Sequence, residues 1–316
     1  MGFLSLIIAL LLEQVRPLQD QNVAYNAVRG TARALERNFN AGESQQGILA
    51  WLILVVPITL GCWAMFLLLA RIHPFLGLGW DVVVLYLTLG FRQFSHYYTD
   101  IQLALASNDV VRARMLLSEW KQHLSPGFTA AELGAGEISR MAIEEALVAS
   151  HRHVFGVFFW FLVLPGPSGA VLYRLTDYLA RAWSQPKNLR GEPFGRFAVR
   201  AFWLIDWLPV RLTAIGFAIV GNFEDAIFSW RNHATQWRDR ARGVILAAGS
   251  GALGVRLGDA DSFQGAPAFD LETAFESIPG IEASPAAMRS AVGLVWRSLV
   301  LWMILLLLLS LAGLFG

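Results

Sequence analysis

The chain has 316 residues, 55% of them apolar and only 16% charged, with a formal net charge of +1 and a single cysteine. Charged residues make up roughly a quarter of an ordinary soluble domain, so this composition argues against one; a charge balance this close to zero supplies no basic field for nucleic acid. The lone Cys62 excludes an intramolecular disulfide and a cysteine-based metal cluster.

The first apolar stretch, GFLSLIIALLLEQ, holds eleven residues before Glu13. It has neither a basic start nor a small-residue cleavage site, so it reads as a partly embedded or protein-packed helix and not as a signal peptide. A polar helix around NAVRGTARALERNF follows, with Arg29, Arg33 and Arg37 spaced four apart as a basic face for solvent or anionic headgroups. Residues 1–47 form the first region.

Residues 48–70, ILAWLILVVPITLGCWAMFLLLA, carry no charge. At about 1.5 Å per residue they make roughly 34 Å of helix, enough to cross the hydrocarbon core. RIHP turns the chain, and residues 75–91, apolar apart from Asp81, return, so 48–91 reads as a transmembrane hairpin. Residues 92–153 are a cytoplasmic helical insert, with a helix start at Asn108 or Asp109, a break at SPG (125–127) and a new helix from GEISRMAIEEAL.

Residues 154–257 read as broken or re-entrant helices around a polar cavity. Pro165, Gly166, Pro167 and Gly169 interrupt the apolar run 154–173, and Asp206, Pro209 and Arg211 interrupt 201–222. Residues 258–297 are an acidic loop and linker, and 298–316, SLVLWMILLLLLSLAGLFG, form a C-terminal transmembrane helix. Lys and Arg number four in 13–47 and six in 92–153, which places both on the cytoplasmic side. Six more in 174–200 conflict with a simple crossing by 154–173. A segment that enters and returns resolves the conflict, since irregular backbone is tolerated where protein surrounds it. The expected fold is an all-α, polytopic integral membrane protein with broken or re-entrant helices, seated in a bacterial-type inner membrane with the lipid bilayer as its partner. No segment of the chain repeats another, which disfavours a transporter built from two halves.

Several side chains could carry chemistry. Glu137, Arg140, Glu144 and His151 fall within an arc of about 60° at 100° per residue, and Arg140 and Glu144, four apart, can pair. The stripe reads as the lining of a site with His151 as acid and base, or as a solvated helix face. Asp206 and Arg211 are costly in an apolar helix, so they line a wet cavity or form a buried ion pair that locks packing; Pro209 between them kinks the helix. AAGSGALGVRLG (247–258) supplies Gly249, Gly251, Gly254 and Gly258, a backbone able to expose its N–H groups, with Arg256 as a fixed cation. It lacks the Walker lysine. Asp259 and Asp261 are Mg²⁺ ligands beside a substrate phosphate, or ordinary loop caps.

GPSGAVLYR (166–174), DWLPVRLTA (206–214) and GALGVRLG (251–258), in this order, resemble motifs of the CobD/CbiB family of cobalamin-biosynthesis membrane proteins. LALASNDVVRARMLLS and EISRMAIEEAL resemble the helices that precede them. The resemblance implies adenosylcobinamide-phosphate synthase activity, in which adenosylcobyric acid is joined to an aminopropanol, or its phosphate, through an amide bond at the expense of ATP with Mg²⁺. Glu144, His151 and Asp206 are then the catalytic candidates. Arg140, Arg174, Arg211, Gly251, Gly254 and Arg256 are candidates for holding a corrinoid or another anionic, phosphate-bearing molecule, and Asp259 and Asp261 for the metal.

The chain departs from the family pattern in that the N-terminal Gly-Asp-Pro and His-Pro-Val signatures are absent and two later motifs differ. The Glu-Asn-Thr and Asp-Gly after the EI.R helix are here VASHRHVFG, and the Asn-Thr-Leu-Asp after the Tyr-Arg pair is here within TDYLARAWS. Asp177 stands where that asparagine would be and Ala180 where the aspartate would be. LLLEQ, FSHYYTDIQLALASND and LIDWLPVRLTAIGFAIVGNFEDAIFSW also resemble AmpE, a membrane protein linked to β-lactamase regulation. That likeness offers a second reading, a regulatory or sensory protein that keeps the cavity without the ligase activity. Oligomeric state stays open.

Overall fold

The computed structural model describes residues 2–16, 23–40, 43–122, 127–184, 193–258 and 279–315. Among them every regular element is helical, apart from one isolated parallel bridge between Val255 and Ile281. In chain order the α-helices are α1 (Gly2–Val15), α2 (Val23–Phe39), α3 (Ser44–Ile72), α4 (Pro74–Thr88), α5 (Phe91–Ala106), α6 (Val110–Gln122) and α7 (Ala135–Ser150). They continue with α8 (Gly156–Val163), α9 (Ser168–Ala182), α10 (Arg196–Val220), α11 (Phe223–His233), α12 (Arg240–Leu253) and α13 (Pro285–Phe315). A π-helical turn, His151–Phe155, joins α7 to α8.

Among the described residues four stretches are long and apolar enough to cross a membrane: Ser44–Ile72, Ala135–Val163, Pro193–Val220 and Pro285–Ala312. The protein is thus the all-α membrane protein that its composition predicts. Leu52, Ile53, Leu60 and Leu68 of α3, and Val300, Ile304 and Leu308 of α13, are exposed, as side chains facing lipid would be. α4 is a 15-residue helix, about 22 Å long by its rise, and so covers part of the hydrocarbon thickness. Helix runs without interruption through residues 153 and 154, and α10 continues through Pro209.

The chain divides into two compact units, Met1–Gln93 with Arg152–Pro209, and Phe94–His151 with Val210–Gly316. In the first, α1 packs on α4 through a face that includes Ser5, Leu6, Ala9 and Glu13, which makes it a protein-packed helix. Glu13 accepts a hydrogen bond from the Arg92 N–H at 3.1 Å. The basic α2 lays Val28, Ala32, Leu35 and Phe39 against a core built from Trp51, Leu54, Leu175, Leu179 and Phe194. α8 ends where Leu164 becomes extended, Gly166 adopts φ +61°, and the Ser168 hydroxyl bonds the Pro165 carbonyl at 2.9 Å. α9 then packs back on α8 so closely that a Cβ on Gly169 would sit 1.8 Å from the Trp160 carbonyl oxygen. α8 and α9 thus form a helical hairpin at the proline–glycine run, and the helix leading into it, Ala135–Val163, is itself long enough to cross a membrane.

In the second unit, Asp109 caps α6 through the Arg112 N–H at 2.9 Å, and Glu137 accepts from the Gly134 N–H at 2.8 Å at the start of α7. α5 is tied to α13 by the Tyr98 hydroxyl, which donates to the Met288 carbonyl at 2.8 Å. α11 and α12 form a tight pair. The glycine-rich stretch differs from the loop expected of it: residues 247–253 are the end of α12, and only 254–258 leave the helix. A Cβ on Gly251 would lie 2.2 Å from the Asp225 carbonyl oxygen, so this glycine serves close helix packing.

Gly251→Ala is therefore expected to cost about 1–3 kcal/mol by overpacking and to lower the melting temperature of the detergent-purified protein. Gly293→Ala in α13, with nothing within 4 Å of the added Cβ, should leave it unchanged or raised.

Candidate functional site

Glu144 lies on α7 at 3% exposure, and a carboxylate so placed needs cations and donors. Arg242 of α12 supplies both: its Nη2 is 3.2 Å from Glu144 Oε2 and 3.1 Å from Glu145 Oε1. Lys121 of α6 stands 3.7 Å from Glu145 Oε1, and Arg140 Nε 3.9 Å from Glu144 Oε1, the i,i+4 pair foreseen from spacing. Burial alone would lower the proton affinity of Arg242, but Glu145 and Glu144 outweigh it and hold the guanidinium above its usual value. The Gly258 N–H completes the group by donating to Glu144 Oε1 at 2.8 Å.

That last bond brings the EISRMAIEEAL helix and the end of GALGVRLG together. The short segment is held in place by local bonds. Gly254 takes φ +66° to end α12, the Ser250 hydroxyl donates to the Val255 carbonyl at 2.7 Å, and Arg256 N–H donates to the Ile281 carbonyl at 2.8 Å. Arg256 Nη2 lies 3.5 Å from the Gly280 carbonyl oxygen. The Gly254 N–H is bonded to the Gly251 carbonyl at 3.2 Å, and Gly251 sits inside α12, so both glycines use their amides in backbone structure. About two helical turns beyond Glu144, buried His151 places Nδ1 2.9 Å from the Thr213 hydroxyl of α10. Arg211 is half-buried on the same helix.

The first unit carries a second polar group. The Tyr173 hydroxyl donates to Asp206 Oδ1 at 2.9 Å, joining GPSGAVLYR to DWLPVRLTA, with Asp206 at 2% exposure. Burial and then the Asp206 charge push the Tyr173 hydroxyl well above its usual pKa, so it stays a donor. Beside it, Asp177 is met by Arg174 Nη1 at 3.6 Å, Arg152 Nε at 4.0 Å and Arg181, which bonds it directly.

Structure thus joins Glu144 to Arg140 and places His151, Arg211, Gly251, Gly254 and Arg256 in the same unit, with Arg174 and Asp206 in the other. Asp259 and Asp261 lie outside the described residues. Glu137 serves as a helix cap. Sequence reasoning passed over Arg242, Lys121, Arg152, Arg181 and Thr213. Among the described residues no group of three or more His, Cys, Asp or Glu comes together to hold a metal ion. The nearest pair of acids, Glu144 and Glu145, is already bridged by Arg242, so these residues do not fit a Mg²⁺ site.

The fold and these groups define a helical membrane protein in which buried Glu144 and Asp177 are each met by arginines of their own helix and of another element. The family model for CobD/Cbib protein matches residues 6–295. The chain is 33% identical over 311 residues to the cobalamin biosynthesis protein CobD of Stutzerimonas stutzeri, covering 96% of this chain and 97% of that one. It is 34% identical over 261 residues to the CobD protein of Chromobacterium violaceum, covering 81% and 77%. Against the cobalamin biosynthesis protein CbiB of Salmonella typhimurium it is 26% identical over 226 residues, covering 69% and 68%. No solved structure matches. The chain belongs to the CobD/CbiB family, and the AmpE reading gains no support.

Removing one partner of a buried ion pair strands the other. Arg242→Met should therefore destabilise the protein towards the low end of about 3–5 kcal/mol, since the guanidinium is partly exposed. The triple variant that adds Glu144→Gln and Glu145→Gln should recover much of that loss in thermal unfolding of the purified protein.

Proposed function

We propose that this chain forms the amide bond between a corrinoid carboxylate of the adenosylcobyric acid type and an aminopropanol or its phosphate, in the inner membrane of a bacterium. The observation that supports this reading is the near full-length similarity to proteins named for cobalamin biosynthesis. The family resemblance adds the pairing of its motifs within each unit, Glu144 with Gly258 and Tyr173 with Asp206.

An amine must lose a proton before it can attack a carboxyl carbon, and the resulting charge must be held while the bond forms. Glu144 has its oxygens engaged by Arg242 and the Gly258 amide, so its work is to hold that segment and the guanidinium in register. Proton transfer then falls to His151, whose ring the Thr213 hydroxyl orients. Arg211 and Arg256 are the proposed contacts for anionic groups of the corrinoid. ATP would supply the driving force by taking up, as phosphate, the carboxylate oxygen that the amine displaces, and Asp259 and Asp261 are the proposed ligands for any Mg²⁺ that accompanies it.

In a Salmonella strain lacking its CbiB protein, this chain should restore cobalamin-dependent growth. Failure to rescue despite normal membrane insertion would overturn the proposal. His151→Asn should lower amide formation by membranes about 100-fold or more, the contribution of a positioned general base, while protein level stays normal.

A further inference from the structure

α11 is too short to cross a membrane, yet it presents large apolar side chains outward. Phe223 is 54% exposed, and Ile227 and Trp230 are half-buried. These three lie at i, i+4 and i+7, within about 60° of arc at 100° per residue. Asp225 and Asn232 are exposed within about 20° of the opposite direction. Ala226, Ser229 and His233 form the buried side between the two. Glu224 and Arg231 are exposed on the other flank, next to Ile227. Phe228 lies about 140° round from Phe223, edge-on to the His233 ring, and is not part of the apolar face. The helix thus has one side on protein, one polar side and one apolar side.

The chain itself says how far this side can be from lipid. The spanning stretch Pro193–Val220 ends only Gly221 and Asn222 before α11, and its last nine residues, LTAIGFAIV, carry no charge. Ile215 and Ile219, one turn apart in that run, are exposed. Three residues reach at most about 10 Å, so Phe223 stands no farther than that from the end of the span. The headgroup layer on each side of the hydrocarbon core is about 5–7 Å deep. The rotation of α11 about its axis is also fixed. The Asn222 side chain accepts from the Asp225 N–H at 3.3 Å, and the Asn222 N–H donates to the Ala252 carbonyl of α12 at 3.2 Å. Cβ atoms on Gly221 and Gly251 would meet the Ala252 and Asp225 carbonyl oxygens at 2.7 and 2.2 Å, so no side chain separates the start of α11 from the end of α12.

We propose that α11 lies in the membrane surface as an interfacial helix, with Phe223, Ile227 and Trp230 inserted among the lipids and α12 held at a fixed depth behind it. Phenylalanine and tryptophan suit that layer, where an apolar ring meets acyl chains and the indole N–H meets headgroups. Glu224 and Arg231 border the inserted face, where their side chains reach back to water as they do on other helices of this kind. Lipid is the occupant because the exposed face starts where the exposed Ile215 and Ile219 of the span end. Since α11 is clamped to α12, the depth of α11 sets the depth of Arg242 on α12, the guanidinium that holds Glu144 and Glu145. The placement does not depend on amide formation: a chain that failed to restore cobalamin synthesis would still lay α11 in the interface.

Cys62 is the single cysteine, so Cys62→Ala gives a background in which one introduced thiol carries one nitroxide label. The test places that label by Phe223→Cys, Ile227→Cys or Asn232→Cys in the full chain, reconstituted at one copy per phosphatidylcholine nanodisc. Collisions with oxygen, which dissolves in lipid, are compared with collisions with a water-soluble nickel chelate. The oxygen-to-nickel ratio should be several-fold higher at 223 and 227 than at 232. Adding Phe223→Glu should lower the ratio at 227 several-fold, because a carboxylate pulls that face towards water. If Phe223→Glu does not fold, the contrast between 223, 227 and 232 still decides. Equal ratios at the three positions overturn the proposal. Shielding of 223 and 227 from both reagents overturns it too, and spin–spin broadening in vesicles at high protein density would then identify a second copy of the chain as what covers the face.

Discussion

Glu144 accepts from Arg242 on one oxygen and from the Gly258 amide on the other, and most of what can be said about the second unit follows from that arrangement. α7 cannot bury a carboxylate unless α12 brings a cation to it, and α12 cannot end where it does unless residues 254–258 turn back far enough to offer an N–H. One side chain therefore fixes two helices and the segment after them. Glu145 shares the same guanidinium and draws in Lys121, so with Arg140 five charged groups from three helices gather there, three cations around two carboxylates. The Asp177 group in the first unit follows the same rule, with Arg152, Arg174 and Arg181 gathered around one buried carboxylate.

What could be read from the sequence was whatever depends on composition or on spacing within one helix. The 48–70 and 298–316 spans needed only an uninterrupted apolar run. Asp109 was legible as a start signal because capping is a matter of two to four residues, whereas Glu137, read as part of a polar stripe, turns out to cap α7. The Arg140–Glu144 pair followed from i,i+4 geometry. Arg242 did not, since the bond it makes to Glu144 spans 98 residues and no periodicity marks it. Thr213 and Arg152 were missed for the same reason. A buried acid in a helix does announce that some cation must find it, but not which one.

The glycine-rich stretch shows how the same residues serve two physical ends. Glycine permits a sharp turn, and it equally permits two helices to touch backbone to backbone. Gly243, Ala247 and Gly251 recur every four residues, which puts them on one side of a helix. Cβ atoms on Gly243 and Gly251 would meet the carbonyl oxygens of Ala234 and Asp225 at 2.5 and 2.2 Å. That spacing was the available sign that α12 packs through this face. The turn is confined to Gly254 and beyond, where a positive φ is in fact used.

Departure from the family pattern at residues 177–180 looks in the sequence like the loss of an acid, and α9 gives it another meaning. The pattern has asparagine where Asp177 stands and aspartate where Ala180 stands. Three residues on a helix amount to about 4.5 Å along the axis and 60° around it, so the carboxylate has moved by less than one turn on the same face. Ala180 and Asp177 are both buried, which means each position faces protein. At 177 the carboxylate falls three residues after Arg174 and four before Arg181, the two spacings at which helical side chains meet. At 180 it would sit six residues from Arg174 and adjacent to Arg181, and neither spacing brings the groups together. The acid is thus repositioned to serve two arginines of its own helix while Arg152 approaches from outside it. Placed there, one carboxylate ties two arginines of α9 and one from the π-helical turn to a single buried point.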